Sequence, residues 1–480
     1  MMLLLAALLA LQDPSYETVV LETGPLTHHI EARDLNGDGR LDLLIQNGRD
    51  LQVFLQDKGT YAPKPSQVLR LDAGVFLWTF GALDGEKFTS IFTAGSRGIQ
   101  GIPFDGTAFG APRDLVVHPS MFEGVVADAR APLFTPFAPD LDKDGRSEVL
   151  LFQEDEIFVM KQYPGGEFRC LQKLPVPMAV ATLVPWAPHQ KLTQSVGVPL
   201  LSFGDTDGDG RTDIAYYKEE SIGVFRQKPD GGFLFGENQD LAVEKKRWRK
   251  RFVQFDVPPH VADFNGDGLL DVALIYPSKG RVHVYYGRAG RGDWTQPDQV
   301  MNVADGWSTG IYLEDLGGRG KLDLIMGVVR KFGITEGIQV FLSGKVDLEL
   351  HIYPMQDDAR FSKDPVQELK FSIPFSFQVT RDSASLDLVF RPTFTGDFNK
   401  DGLRDMLVRV DERTLKIYPG VKDRVIRNEP SGTITMDPPA GVSTTEPFVA
   451  DLNGDGVSDL ILKHVLVNPP KHVLELKMSK

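Results

Sequence analysis

Aspartate is the residue type in this chain whose spacing points most directly to chemistry. The pattern D-x-[DN]-x-D-G-x-x-[DE] occurs six times in 480 residues. Its side-chain oxygens are Asp34, Asn36, Asp38 and Asp42 in the first copy, Asp140, Asp142, Asp144 and Glu148 in the second, and Asp205, Asp207, Asp209 and Asp213 in the third. The later copies carry Asp263, Asn265, Asp267 and Asp271; Asp397, Asn399, Asp401 and Asp405; and Asp451, Asn453, Asp455 and Asp459. Oxygens at positions 1, 3, 5 and 9 can surround one point, joined by a backbone carbonyl at position 7. Those carbonyls belong to Arg40, Arg146, Arg211, Leu269, Leu403 and Val457. A hard cation taking six to eight oxygen ligands suits such a loop, which predicts calcium rather than magnesium, an ion that keeps its waters and a strict octahedron. An ordinary Asn/Asp/Gly turn needs only one or two of these residues. Three carboxylates facing one another without a cation would repel. Glycine at position 6 in every copy permits the left-handed turn that a Cβ resists.

These loops must be positioned by something that repeats. A seventh copy, 315–323, keeps Asp315, Gly320 and Asp323 but has Gly317 and Arg319 at ligand positions 3 and 5. Arg319 is expected to bring its guanidinium to the place a cation would occupy, between Asp315 and Asp323. An eighth is inferred from spacing at 80–88, where only Asp84 and Gly85 survive and no metal is expected. The starts at 34, 80, 140, 205, 263, 315, 397 and 451 are mostly 46 to 65 residues apart, with one interval of 82 that suggests an insertion over roughly 345–391. Each loop runs into an apolar, β-branched stretch such as 41–45, 213–217, 271–275 or 459–462, and Val282, Val284 and Tyr286 alternate with period two. Four-stranded repeats of about this length are propeller blades. The expected fold is all-β, a single propeller over 13–480 with about eight blades, seven being the other possible count, and almost no helix. The last repeat lacks residues for four strands, and 16–21 can complete it. Such closure removes a sheet edge.

The six loops, with Phe203-Gly204 before Asp205 and Phe394-Thr395-Gly396 before Asp397, resemble the FG-GAP/VCBS family, seen also in integrin α-subunit propellers. The resemblance covers the chain after about residue 15. It implies a structural role for the loop calcium, tying together the strands of a blade. Departures are Glu148 at position 9, Lys143 and Lys400 at the usually small position 4, and the two degenerate repeats. The family does not imply one activity.

The remaining composition narrows the function classes. The formal charge is −14, and six divalent ions would cancel most of it, so acidity says little about partners. Cys170 is the sole cysteine, which excludes an intrachain disulfide and a cysteine metal cluster. The apolar run 1–12 before Asp13-Pro14 is too short to span a membrane and predicts an export signal, hence a secreted, periplasmic or cell-surface protein. Serine-nucleophile, H-E-x-x-H, Walker and dinucleotide motifs are absent from the sequence. The stretch 245–252, six cations with Trp248 and Phe252, reads as a solvated edge or as a polyanion patch with Trp248 as a stacking platform. Arg291-Gly292-Asp293 spells an adhesion triplet, a match too short to carry weight. Nucleic acid is not expected as a partner. The expected function is a monomeric calcium-loaded scaffold binding an extracellular protein or glycan. The alternative is a polysaccharide lyase of the rhamnogalacturonan-lyase type, which needs an acid/base group beside a further calcium.

Overall fold

The computed structural model describes residues 15–480 apart from 124, 126–130, 177, 184–192, 219–220, 235–237, 241–258, 277–279, 291–293, 295, 303–305, 331–332, 380–383, 389–391 and 423–424. The predicted export signal, the basic stretch 245–252 and the triplet 291–293 lie outside the described residues.

Eight small sheets follow one another along the chain as the blades of a propeller. Blade 1 contains Thr27–Arg33, Asp42–Asn47, Asp50–Phe54 and Gln67–Arg70, and blade 2 contains Val75–Gly81, Ser90–Gly95, Gly98–Ile102 and Arg113–Val117. Blade 3 contains Val149–Phe152, Glu156–Gln162 and Phe168–Pro175. Its first strand is irregular because Pro136 and Pro139 cannot donate to a ladder. Leu133–Phe134 pairs in parallel with blade 2, and Phe137 and Pro139 accept from the Leu150 and Glu148 N–H groups. The hairpin Ala179–Leu183 and Thr193–Gly197 precedes blade 4, which contains Leu200–Gly204, Asp213–Lys218 and Ser221–Gln227, edged by Phe233–Leu234 and Asn238–Asp240. Blade 5 contains His260–Ala262, Asp271–Tyr276, Arg281–Tyr285 and Gln299–Asn302.

Blade 6 contains Gly306–Glu314, Asp323–Arg330, Lys345–Tyr353 and Gln367–Val379, with Ala384–Leu388 added outside. Much of 345–391, where the sequence suggests an insertion, therefore pairs within the blade itself. The extra length is taken up by long strands, by that added strand and by the helix Ile334–Ser343. The helix starts at Gly333, whose N–H donates to Glu336, and stops at Gly344 in a left-handed turn. Blade 7 contains Thr393–Gly396, Asp405–Arg409, Thr414–Tyr418 and Gly432–Thr435. Blade 8 contains Val442–Ala450, Asp459–Val467 and Pro470–Ser479, and its fourth strand is Tyr16–Leu21 from the other end of the chain. That pairing is antiparallel, from Tyr16 opposite Ser479 to Leu21 opposite Leu474.

The core lies between blades. Second strands have sheet neighbours on both sides and are apolar on both faces, so successive residues feed different clusters. Leu44 packs with Trp78, Ile91 and Phe104 of blade 2, while Leu43 and Ile45 pack with Leu452, Ile461 and Leu474 of blade 8. Each such fully buried aliphatic side chain contributes about 1.5–3 kcal/mol.

A polar device repeats at the junctions. The side-chain amide of Gln67 in blade 1 donates to Phe109 O and accepts from Phe109 N in blade 2, both at 2.7 Å. Gln172 clamps Phe233 in the same two-way manner, Gln299 clamps Phe361 and Gln367 clamps Ile426. Each glutamine thus satisfies a backbone donor and acceptor of the following blade.

Candidate metal loops

In every intact blade the acidic loop connects the first strand to the second, and its position 9 is at or beside the start of the second strand. The loop is wound around its first carboxylate. The position 6 N–H donates to the position 1 carboxylate at 2.6–2.9 Å in all seven copies, including the damaged one. This winding needs the left-handed glycine at position 6, with φ between 80° and 86° in the six intact copies. Position 4 is left-handed too, and Lys143 and Lys400 adopt φ of 60° there. Both lysines reach the next blade's loop: Lys143 Nζ donates to Gly210 O at 2.9 Å, and Lys400 Nζ donates to Asp455 O. Neighbouring loops are also joined by main-chain bonds such as Leu270 N to Asp205 O at 2.8 Å and Ser458 N to Asp397 O at 2.7 Å.

Position 9 organises the backbone around it. Asp42, Asp213, Asp271, Asp405 and Asp459 are almost wholly buried. Each accepts one N–H from loop position 2 and another from the end of the third strand. For Asp271 these are Phe264 N at 2.8 Å and Gly287 N at 2.7 Å. For Asp405 they are Phe398 N at 2.8 Å and Gly420 N at 2.9 Å. The carboxylate therefore staples loop, second strand and third strand together. Burial is also the largest influence on its ionisation, outweighing those hydrogen bonds. It pushes Asp271 up to about 7, Asp405 up to about 6 and Glu148 up to about 7, with neighbouring loop aspartates adding to the rise.

In blades 3 and 4 three carboxylates converge. One oxygen each from Asp140, Asp142 and Glu148 lies within 4.8 Å of the others, and the same holds for Asp205, Asp207 and Asp213. Asp142 Oδ1, Glu148 Oε1 and Asp207 Oδ1 are buried without a hydrogen-bond donor among the described residues. Buried oxygens of this kind are costly unless something positive meets them. A divalent cation fits the donor set. In blades 1, 5 and 8 the position 3 asparagine donates to the position 5 aspartate at 3.0–3.2 Å. Arg40, Arg146 and Arg211 at position 7 pair with Asp38, Asp144 and Asp209.

The two degenerate loops are held by arginine instead. Arg319 Nη2 stands 3.7 Å from Asp323 and donates to Met355 O at 3.1 Å. Asp315 is engaged by the Arg319 and Gly320 N–H groups rather than by the guanidinium. Asp84 accepts from Gly165 N at 2.7 Å and lies 3.7 Å from Arg146 of the next blade. A further cluster that sequence reasoning missed joins Glu349, His351 and Glu368 across two strands of blade 6. Arg330 meets Glu349 there at 2.7 Å, so the group is a charge ladder on a sheet face.

Among curated proteins no sequence matches this chain significantly. Several solved structures resemble this chain at low identity. An Agrocybe aegerita lectin, described for recognition of non-reducing terminal N-acetylglucosamine, is 16% identical over 87% of this chain and 93% of that one, with a TM-score of 0.44. The Vibrio cholerae biofilm matrix protein Bap1 is 13% identical over 98% of this chain and 88% of that one, with a TM-score of 0.37. A profile described as FG-GAP-like repeat matches residues 263–326, which run from the blade 5 loop past the damaged loop, and 397–462, which hold the loops of blades 7 and 8. The chain therefore carries FG-GAP-like repeats at 263–326 and 397–462 within an eight-bladed β-propeller, an arrangement consistent with an FG-GAP repeat protein.

Proposed function

We propose that this protein is an exported, calcium-binding propeller that acts as a monomeric scaffold for an extracellular protein or glycan. The calcium reading is carried by the buried, donor-less oxygens of Asp142, Glu148 and Asp207 within converging carboxylate sets. The ion would be held by the side chains at positions 1, 3, 5 and 9 and the carbonyl at position 7 of each intact loop. Bound there, it supplies charge neutralisation and a cross-link between strands. Glu148 and the aspartates at position 9 already organise the backbone, so calcium completes a structural element.

Binding rather than turnover is supported by the contacts of seven of the eight described histidines. His29 stacks on Phe134, His118 packs on Phe158 and His283 on Tyr276. His464 and His351 face glutamates, and His28 and His472 accept backbone N–H groups. These contacts assign them to packing and closure. The deciding experiment incubates calcium-loaded protein with a glycan array and with pectic polymers, following unsaturated product by ultraviolet absorbance. Saturable binding without product supports the scaffold reading. Sustained product formation would establish the lyase alternative, and cell fractionation reports on export.

A further inference from the structure

Position 3 divides the six intact loops into two kinds. It is asparagine in blades 1, 5, 7 and 8, as Asn36, Asn265, Asn399 and Asn453, and aspartate in blades 3 and 4, as Asp142 and Asp207. The aspartate loops therefore hold four carboxylates where the others hold three. In those two blades alone among the six, a cation from the third strand meets the extra acid. Lys161 Nζ contacts Asp142 Oδ2, and Arg226 Nε stands 3.7 Å from Asp207 Oδ2.

The two cations occupy one structural place. Val149 pairs with Met160 and Ile214 with Phe225, so one further step of register sets Lys161 opposite Glu148 and Arg226 opposite Asp213. The same step in blades 1, 5, 7 and 8 gives Leu55, Tyr286, Pro419 and Met478, none of them charged. An added negative charge in the loop is thus matched by an added positive charge at one defined position, and only there. Each cation takes one oxygen of its aspartate and leaves the other, Asp142 Oδ1 or Asp207 Oδ1, without a donor.

We propose that Lys161 and Arg226 set the divalent-ion affinity of the blade 3 and blade 4 loops. Each offsets the extra carboxylate, so the four-acid loop attracts an ion about as strongly as a three-acid loop and holds together better without one. The inference rests on the calcium reading above for its affinity arm only. A unit charge at about 4 Å changes an ion's binding by at least about fivefold even in a water-like dielectric, and by far more in a partly dry loop.

The test uses the full chain with Lys161→Met and Arg226→Met, titrated with calcium alone after chelation, and hydrogen exchange of the metal-free protein. Each variant is expected to tighten one site by at least about fivefold. The metal-free Lys161→Met protein is expected to exchange faster than wild type at the amides of 140–148. Lys161→Arg should restore both behaviours, and Lys345→Met on an exposed strand position should change neither. Adding Asp142→Asn to Lys161→Met makes a three-acid loop and should return affinity and exchange to wild-type values, which also covers a single variant that folds poorly. Unchanged affinity and unchanged exchange in both methionine variants would overturn the proposal. If the wild type binds no calcium, the functional reading and the affinity arm fail together, and exchange in the metal-free variants still decides whether the two cations hold the empty loops.

Discussion

Arg319 and Asp323 stand 3.7 Å apart in the blade 6 loop, a cation and a fully buried carboxylate where the intact loops offer an ion site. The carboxylate keeps its staple role, accepting from Met355 N at 2.9 Å, and Arg319 donates to Met355 O. A fixed guanidinium stands beside the carboxylate that the calcium reading gives to an ion in the intact loops.

Arg319→Ala should therefore destabilise the protein by about 1–3 kcal/mol, less than the 3–5 expected for a wholly buried pair because the arginine is partly exposed. Calcium should not recover the loss. Arg319→Asp combined with Gly317→Asn rebuilds the ligand pattern and should add one calcium in calorimetric titration. An unchanged stoichiometry would show that the backbone of this loop no longer accepts an ion.

Chelation should lower the melting temperature of the whole ring, since adjacent loops share hydrogen bonds and the cores lie between blades. Each site stabilises by about 2.7 kcal/mol when free calcium is a hundredfold above its Kd. Scanning calorimetry with and without EGTA reads this directly, and a transition indifferent to EGTA contradicts structural calcium.

The glutamine clamps predict a loss of similar kind at the four junctions that carry them. Gln67→Leu leaves Phe109 N and O without their partner and should cost about 1–3 kcal/mol, the desolvation cost of stranded polar groups. Gln299→Leu should cost a comparable amount because Phe361 is gripped in the same way. Urea unfolding measures both, and values within error of wild type would mean that water replaces the clamp.

Closure carries its own pH dependence. Glu475, buried in blade 8, accepts from His464 at 2.9 Å, from Lys477 at 2.6 Å and from Asp437 N, while Lys477 also reaches Thr18 of the first strand at 2.9 Å. Burial alone would raise its pKa, but the bonds from His464, Lys477 and Asp437 prevail and hold it below the ordinary glutamate value. Its stabilising contribution is thus present above the unfolded pKa of about 4.3 and is lost as pH falls through the lower folded value. Glu475→Gln should destabilise near neutrality by about 3–5 kcal/mol, because Lys477 is left buried without its counter-charge. The gap to wild type should narrow below about pH 4. A gap constant from pH 7 to 3 would assign the effect to packing.

The blades were legible because each loop is local and announces the strand after it. Asp84 and Gly85 kept enough of a turn for blade 2 to be placed by spacing, and Tyr16–Leu21 was placed by counting strands. Blade 6 was read less well, since its long strands and helix break the interval on which spacing depends. The inter-blade partners were not legible. Lys161 meets an aspartate 19 residues away across a hairpin, and only the register brings them together. Gln67, Gln299 and Gln367 each follow a proline by two residues, the one sequence signal that could have pointed to the clamps.

The strand Tyr16–Leu21 precedes the other strands of the ring in the chain, and its partner Pro470–Ser479 follows them. During synthesis it has no sheet to join, although seven other blades can assemble behind it. Order of translation and order of folding are therefore opposed at this one seam. A chain stalled before residue 470 would carry two open edges, each able to pair with another molecule. Closure of the ring thus waits for Pro470–Ser479 to be made.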